Sequence, residues 1–318
     1  MNSRLRMFTG LFVLAALTVG SANVTLAGEG KGNKGSIVIG NDAGQVTASG
    51  SKVIPAADPL SPKQQRILDR KQELSAEYRK VKEGKVDAKT HEANYKRFLK
   101  ELGEDPNQVG AAVASETADV GTMAAGYSSR TLSMTQVAQI NSYYCGPGSA
   151  YSILASLGKW TSYDGESLSQ GNLAIRKYLE TDYWGNTPWS VGSSRPYPES
   201  LNYWRTGSYY GYYAAVGTSV NAATFEDNMT YDIDRNWPVG GNAWEVAGSQ
   251  NPHLVGHPTN VDIYHWIAIY GYANWGDTTY YADPASGASS LGWTSVPRYS
   301  GISTNTLAVI LDGRGYVW

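Results

Sequence analysis

All 10 Trp and 21 of the 23 Tyr in this 318-residue chain lie between Tyr127 and Trp318. Large aromatic side chains dominate the burial of a core, so the stretch that carries them must build the main domain. Charge divides at the same place. Residues 61–105 hold 12 of the 26 Lys+Arg, whereas the stretch from Tyr127 onward holds 9 Lys+Arg against 14 Asp+Glu, a net −5. A basic, Trp-free front is joined to an acidic, aromatic-rich back. The overall formal charge of −2 gives no electrostatic reason to expect nucleic-acid binding.

The front divides into four stretches. Residues 1–27 read as an export signal: Arg4 and Arg6, then the apolar run Leu11–Leu17, then small residues with cleavage sites after Ala22 or Ala27. The apolar run is too short to span a bilayer. The expectation is a secreted, extracellular protein with no membrane anchor in the mature chain and with the cell wall as a candidate contact. Residues 28–60, rich in Gly, Lys, Ser and Ala, read as a mobile leader. Residues 61–103 read as a charged helical hairpin. Ser61, Pro62 and Gln64 form a capping box, and Ile67, Leu74, Tyr78 and Val81 make one stripe. After Glu83-Gly84-Lys85 a second helix starts at Asp87, with Tyr95, Phe98, Leu99 and Leu102 on its apolar face. Such a hairpin buries little alone and must dock on something; it reads as a solvated spacer or as a pro-segment covering the domain behind it. Residues 104–130 read as a linker, and the main domain as 131–318.

Within the main domain, Ser149–Leu157 has helical spacing, and Ile263–Tyr272, apolar on both faces, reads as a central strand. Thr278–Ala282 and Thr306–Leu311 read as further strands, and residues 182–214 as loops around an aromatic surface. One early helix and late strands point to α+β.

The chain has one Cys, which rules out an intramolecular disulfide framework and a Cys-based metal site. Cys145 lies in Tyr-Tyr-Cys-Gly-Pro-Gly-Ser at the mouth of the Ser149 helix. There the positive end of the helix dipole favours a thiolate, and Gly146 and Gly148 permit close approach of a ligand. An inert buried thiol is the competing reading. Of the four His, His265 opens the apolar strand, where an imidazole needs a polar partner. A hairpin centred on Asn274 would set Asp283 opposite it, though a shifted turn would move that register by a residue or two. Nucleophile, base and orienter then follow the triad logic. Gln139, six residues before the thiol, offers an oxyanion donor beside the Cys145 N–H.

Gln139, five residues, then Cys145-Gly-Pro at a helix start resembles the papain-like cysteine peptidases. His265-Trp-Ile-Ala-Ile-Tyr-Gly-Tyr with Tyr281-Ala-Asp283-Pro resembles more narrowly the bacteriocin-processing, double-glycine-leader peptidases, cysteine peptidase family thirty-nine, and their secreted relatives. The sharp matches cover about residues 136–157 and 264–284. The resemblance implies a Cys-bearing helix packed on an antiparallel sheet that carries His and Asp. It implies Cys145 as nucleophile, His265 as general base and later acid, Asp283 as orienter and Gln139 as oxyanion donor, with no metal and no organic cofactor. The bacteriocin-processing members are fused to a transporter that is not present here, so leader-peptide specificity does not carry over. Gly148 stands where many relatives have Ala.

Tyr143, Tyr144 and Trp266 flank these positions and read as substrate-binding walls for a peptide or protein substrate. Trp184, Trp189, Trp204 and the Tyr209–Tyr213 run read as surface-loop packing. His253 and His257, among Gly and Pro, lack the helix that a four-residue metal pair needs, and read as a loop bordering the cleft near His265. Two other functions stay open: an extracellular peptide- or glycan-binding module on an inactive peptidase fold, suggested by the Trp and Tyr loading, and a peptidoglycan-directed amide hydrolase using the same triad.

Overall fold

A computed structural model describes residues 45–46, 52–53, 58–107, 110–118, 126–217 and 219–318. The export signal expected over residues 1–27 and most of the leader expected over 28–60 lie outside these residues. The described part of the leader is a two-residue antiparallel pair, β1 (Gln45–Val46) with β2 (Lys52–Val53). Lys52 is anchored: its ammonium donates to the carbonyls of Val309 and Asp312, both at 2.8 Å.

The helical hairpin forms as its sequence demands. Helix α1 (Pro62–Lys82) starts with the Ser61–Gln64 capping box, and α2 (Ala88–Glu101) is N-capped by the Asp87 carboxylate on the Thr90 N–H. Its apolar stripe is buried, together with Lys71, whose ammonium meets Asp232 at 3.2 Å with both side chains inaccessible. The Lys71 ammonium also faces the Tyr212 and Trp318 rings, at 3.8 and 4.3 Å from their centroids. Tyr78 donates to Asp234, the Trp237 indole donates to Tyr95, and Gln64 donates to Glu199. Just past the hairpin, Arg205 and Glu104 form a bidentate pair.

The stretch expected to be a linker contributes β3 (Val113–Ala118), which pairs antiparallel with β4 (Tyr127–Leu132) and so joins the main sheet. Helix α3 (Cys145–Ser156) follows, then the short α4 (Gln170–Ala174) and α5 (Thr181–Trp184). The stretch expected to be loops holds α6 (Pro196–Thr206), which Pro196 and Pro198 open. Several of its aromatic side chains are core, not surface: Trp189, Tyr197, Trp204, Tyr212 and Tyr213 are buried, whereas Tyr183 and Tyr209 are exposed. Strand β5 (Ala215–Val216) and helix α7 (Ala222–Asp234) come next; α7 is capped by Asn221 and buries Phe225, Met229 and Ile233.

Strands β6 (Val239–Glu245), β7 (Ile263–Ala273), β8 (Thr278–Ala282) and β9 (Tyr299–Ser303) complete an antiparallel centre in which β7 pairs with β4, β6 and β8. Residues 304–311 correct the strand expectation. They form α8 (Thr304–Leu311), because Thr304, Leu307, Ala308 and Leu311 fall at helical spacing and are buried, whereas Val309 is exposed. Strand β10 (Tyr316–Val317) closes the path β3-β4-β7-β6-β10-β5. Tyr197 of α6 covers Gly240, and Leu311 of α8 covers its neighbour Gly241, so helices cover both faces of the sheet. That accounts for the unbroken burial of β6. Among the described residues no helix is long and apolar enough to cross a membrane.

Candidate active site

Helix α3 begins on the thiol. Tyr144 precedes it with no side-chain cap, and the Gly148 N–H closes the first turn on the Tyr144 carbonyl at 2.8 Å. Pro147 sits where an amide has no intrahelical acceptor to lose. The flanking glycines answer to space. A Cβ on Gly146 would lie 1.9 Å from Thr187 Oγ1, and one on Gly148 would lie 2.8 Å from Pro284 Cβ. Two segments far apart in sequence therefore clasp the helix mouth.

His265 enters from the third position of β7. Its Nε2 lies 2.7 Å from Asp283 Oδ1, and its ring also hydrogen-bonds the Cys145 side chain. The register differs from the one expected. Ala268 pairs with Ala282, so the ladder carried one step further would set Asp283 opposite Ile267, two residues from His265. The two side chains still meet, as diagonal neighbours on a ladder can. Burial alone would push the His265 imidazole down, but the adjacent Asp283 carboxylate and the Cys145 sulfur lift it to about 10. Burial pushes the Asp283 carboxyl up, yet His265 and His257 hold it well below the usual carboxylate range. The Ala285 N–H donates to Asp283 Oδ1 at 2.8 Å. Gln136 donates to the backbone carbonyls of Asp283 and Ser286, at 2.8 and 3.0 Å, fixing the turn that carries the carboxylate.

Gln139 is buried beside this turn, with its N–H on the Pro284 carbonyl. Its amide nitrogen donates one proton to the Asn141 carbonyl at 2.7 Å, and its Oε1 has no partner among the described residues. An NH2 group carries two protons, and the Asn141 bond uses one of them.

The three expected wall residues separate. Trp266 is not at the surface: its ring stacks on Tyr197 at 3.9 Å with the planes 3° apart, and its indole N–H donates to the Thr187 carbonyl. Side chains alternate along a strand, so the neighbour of His265 points into the core. Tyr144 is also buried, its hydroxyl donating to Asp182 at 2.5 Å. Only Tyr143 is half-exposed.

The loop of His253 and His257 does more than border a cleft. His257 is buried behind Asp283, with Nε2 2.9 Å from Asp283 Oδ2 and Nδ1 2.7 Å from Glu245 Oε1. Glu245 ends the fully buried strand β6. An acid closing such a strand needs partners, the same sequence signal that singles out His265.

Residues 131–305 match the Peptidase_C39 like family. Xylellain, a cysteine protease from Xylella fastidiosa, is a similar solved structure at 12% identity over 65% of this chain and 90% of that chain, with a TM-score of 0.30. No curated protein matches. The family match spans more than half of the chain and includes Gln139, Cys145, His265 and Asp283. This protein belongs to the Peptidase_C39 like family and is a cysteine-type peptidase of papain-like α+β fold.

Proposed function

We propose that this protein is an exported peptidase that hydrolyses peptide amide bonds with Cys145 as nucleophile, His265 as proton carrier and Asp283 as orienter. The contact chain from the Cys145 sulfur through His265 to Asp283 carries the reading. The sulfur attacks the scissile carbonyl as a thiolate, and the carbonyl oxygen gains the charge. The second Gln139 amide proton and the Cys145 N–H, a first-turn amide at the positive end of α3, stabilise that oxygen. The His265 imidazolium gives its proton to the departing amine as the C–N bond breaks. A water then transfers a proton to the neutral His265 and attacks the thioester, which releases the acid and restores the pair. Tyr143 is the surface ring that a substrate meets beside the nucleophile. The Arg4–Leu17 signal pattern supports action at the cell exterior, and a thiol that attacks amide carbonyls suits a peptide or protein substrate.

Alkylation tests the reading directly, because Cys145 is the sole thiol. Iodoacetamide near neutral pH should modify the wild type at Cys145 about tenfold or more faster than it modifies His265→Ala, since only a thiolate reacts. Equal rates in the two folded proteins would remove the proposed pair. Cys145→Ala should abolish turnover of a peptide library that the wild type cleaves.

A further inference from the structure

We propose that His257 is a positioning residue for the Cys145–His265 pair: a second imidazolium, anchored by Glu245, that holds the free oxygen of Asp283. This rests on the reading of Asp283 as the orienter.

Geometry carries the argument. Both ring nitrogens of His257 face carboxylate oxygens, Glu245 Oε1 at 2.7 Å and Asp283 Oδ2 at 2.9 Å. A carboxylate only accepts, so both nitrogens must donate, and only the doubly protonated ring has two N–H groups. The side chain is fully buried, where a donor without an acceptor would be costly. Glu245 is fixed in turn, since His253 Nδ1 and the Leu254 N–H reach its other oxygen at 3.2 and 3.0 Å. Asp283 therefore lies between two rings, His265 on Oδ1 and His257 on Oδ2, whose centroids are 5.1 Å apart.

The charged and titratable groups facing His257 are few. Glu245 comes from β6, Asp283 from the turn after β8 and His265 from β7, while His253 on its own loop acts through Glu245. Lys52 adds a cation that interacts with Glu245, and the ring of Trp293 covers the fourth side at 4.9 Å. Burial opposes a charge on His257, and the two carboxylates outweigh it, lifting the group to about 9.

Two consequences follow for the pair. Asp283 cannot swing away from His265 without breaking its bond to His257. A fixed cation about 5 Å from the His265 ring also opposes the proton on that ring, which keeps His265 able to surrender it to a leaving amine.

With only four histidines in the chain, imidazole nitrogen NMR on the full protein can resolve each ring. The expected wild-type spectrum at pH 7 has both His257 nitrogens protonated; a single protonated nitrogen there overturns the proposal. In Glu245→Gln, the His257 titration should fall by about one pH unit or more, and an unmoved His257 would count against the Glu245 anchor and overturn the proposal. In His257→Gln, the His265 titration should move up by about two pH units, the scale of a unit charge at about 5 Å in an effective dielectric near 20. The basic limb of the pH–turnover profile should move with it. An unmoved His265 in a variant that keeps its thermal midpoint overturns the positioning role. If His257→Gln fails to fold, the wild-type spectrum and Glu245→Gln still decide. Failure of the peptidase reading would appear separately, as equal alkylation of wild type and His265→Ala with the His257 spectrum unchanged.

Discussion

Gly146, one residue past the sulfur, has Thr187 where any side chain would go, and Thr187 is itself held by a 2.7 Å bond to Thr181. Gly146→Ala must push that loop away. It is expected to cost about 1–3 kcal/mol of stability by overpacking, read from chemical unfolding, and to slow Cys145 alkylation as the helix mouth shifts. Unchanged stability would show that the loop yields freely. The buried histidines set a pH dependence. Burial opposes their charge, but the carboxylates raise His265 from 6.5 to about 10 and His257 to about 9. The folded chain holds protons that the unfolded chain releases above about 6.5, so this stabilisation is complete below that pH and is lost as pH rises through 9 to 10. Lys71, lowered by burial from 10.5 to about 8, works the other way: the folded chain releases that proton first, so its contribution improves from about 8 to 10.5. Unfolding free energy should fall from pH 6.5 to 8 and less steeply from 8 to 9; a rise over the first interval would contradict the paired histidines. At this scale the sequence was readable where one residue could be judged alone, as with a lone Cys at a helix mouth or a His opening an apolar strand. His257 and Glu245 were not, because each acquires meaning only when β6 and the loop after it are folded against the Asp283 turn.

Among elements, the hairpin separates what is local from what is tertiary. Its caps and stripe were legible, because capping and i, i+4 spacing are local. Its docking site was not. The contacts that seat it run to α6, α7 and Trp318, with the Lys71–Asp232 pair at their centre. Lys71→Met leaves Asp232 buried without its cation and is expected to destabilise the protein by about 3–5 kcal/mol in urea unfolding. At temperatures where the variant is folded, Cys145 should alkylate at the wild-type rate. Faster labelling with stability unchanged would mark the hairpin as a segment that covers the thiol. Helix α8 departs from its expected strand for a different reason. Short apolar runs of β-branched residues suit strand and helix alike, and the deciding fact, burial of Leu307 and Leu311 with Val309 exposed, is tertiary.

For the whole molecule, the C-terminal Trp318 is the keystone between hairpin and main domain. Its backbone pairs with Ala214 in both directions, at 2.8 and 3.1 Å, while its ring lies against the Lys71 ammonium and the Tyr231 ring. Trp318→Ala is expected to cost about 3–5 kcal/mol. Hairpin and sheet should also unfold in one transition, followed together by far-ultraviolet ellipticity and by fluorescence; two separated transitions would mark the hairpin as an independent unit. The α+β class was visible from element order, whereas coverage of both sheet faces was not, since α6 and α7 lack strong sequence periodicity in an aromatic-rich stretch. One further consequence lies in the optics. Trp266 stacks with both Tyr197 and Trp189, with centroids at 3.9 and 6.0 Å, and the Tyr197 hydroxyl reaches Ser149 in the first turns of the helix that begins at Cys145. Rings so close are electronically coupled, so a native chromophore stack abuts the helix that begins at Cys145, and its near-ultraviolet circular dichroism band is expected to shift when that thiol is alkylated.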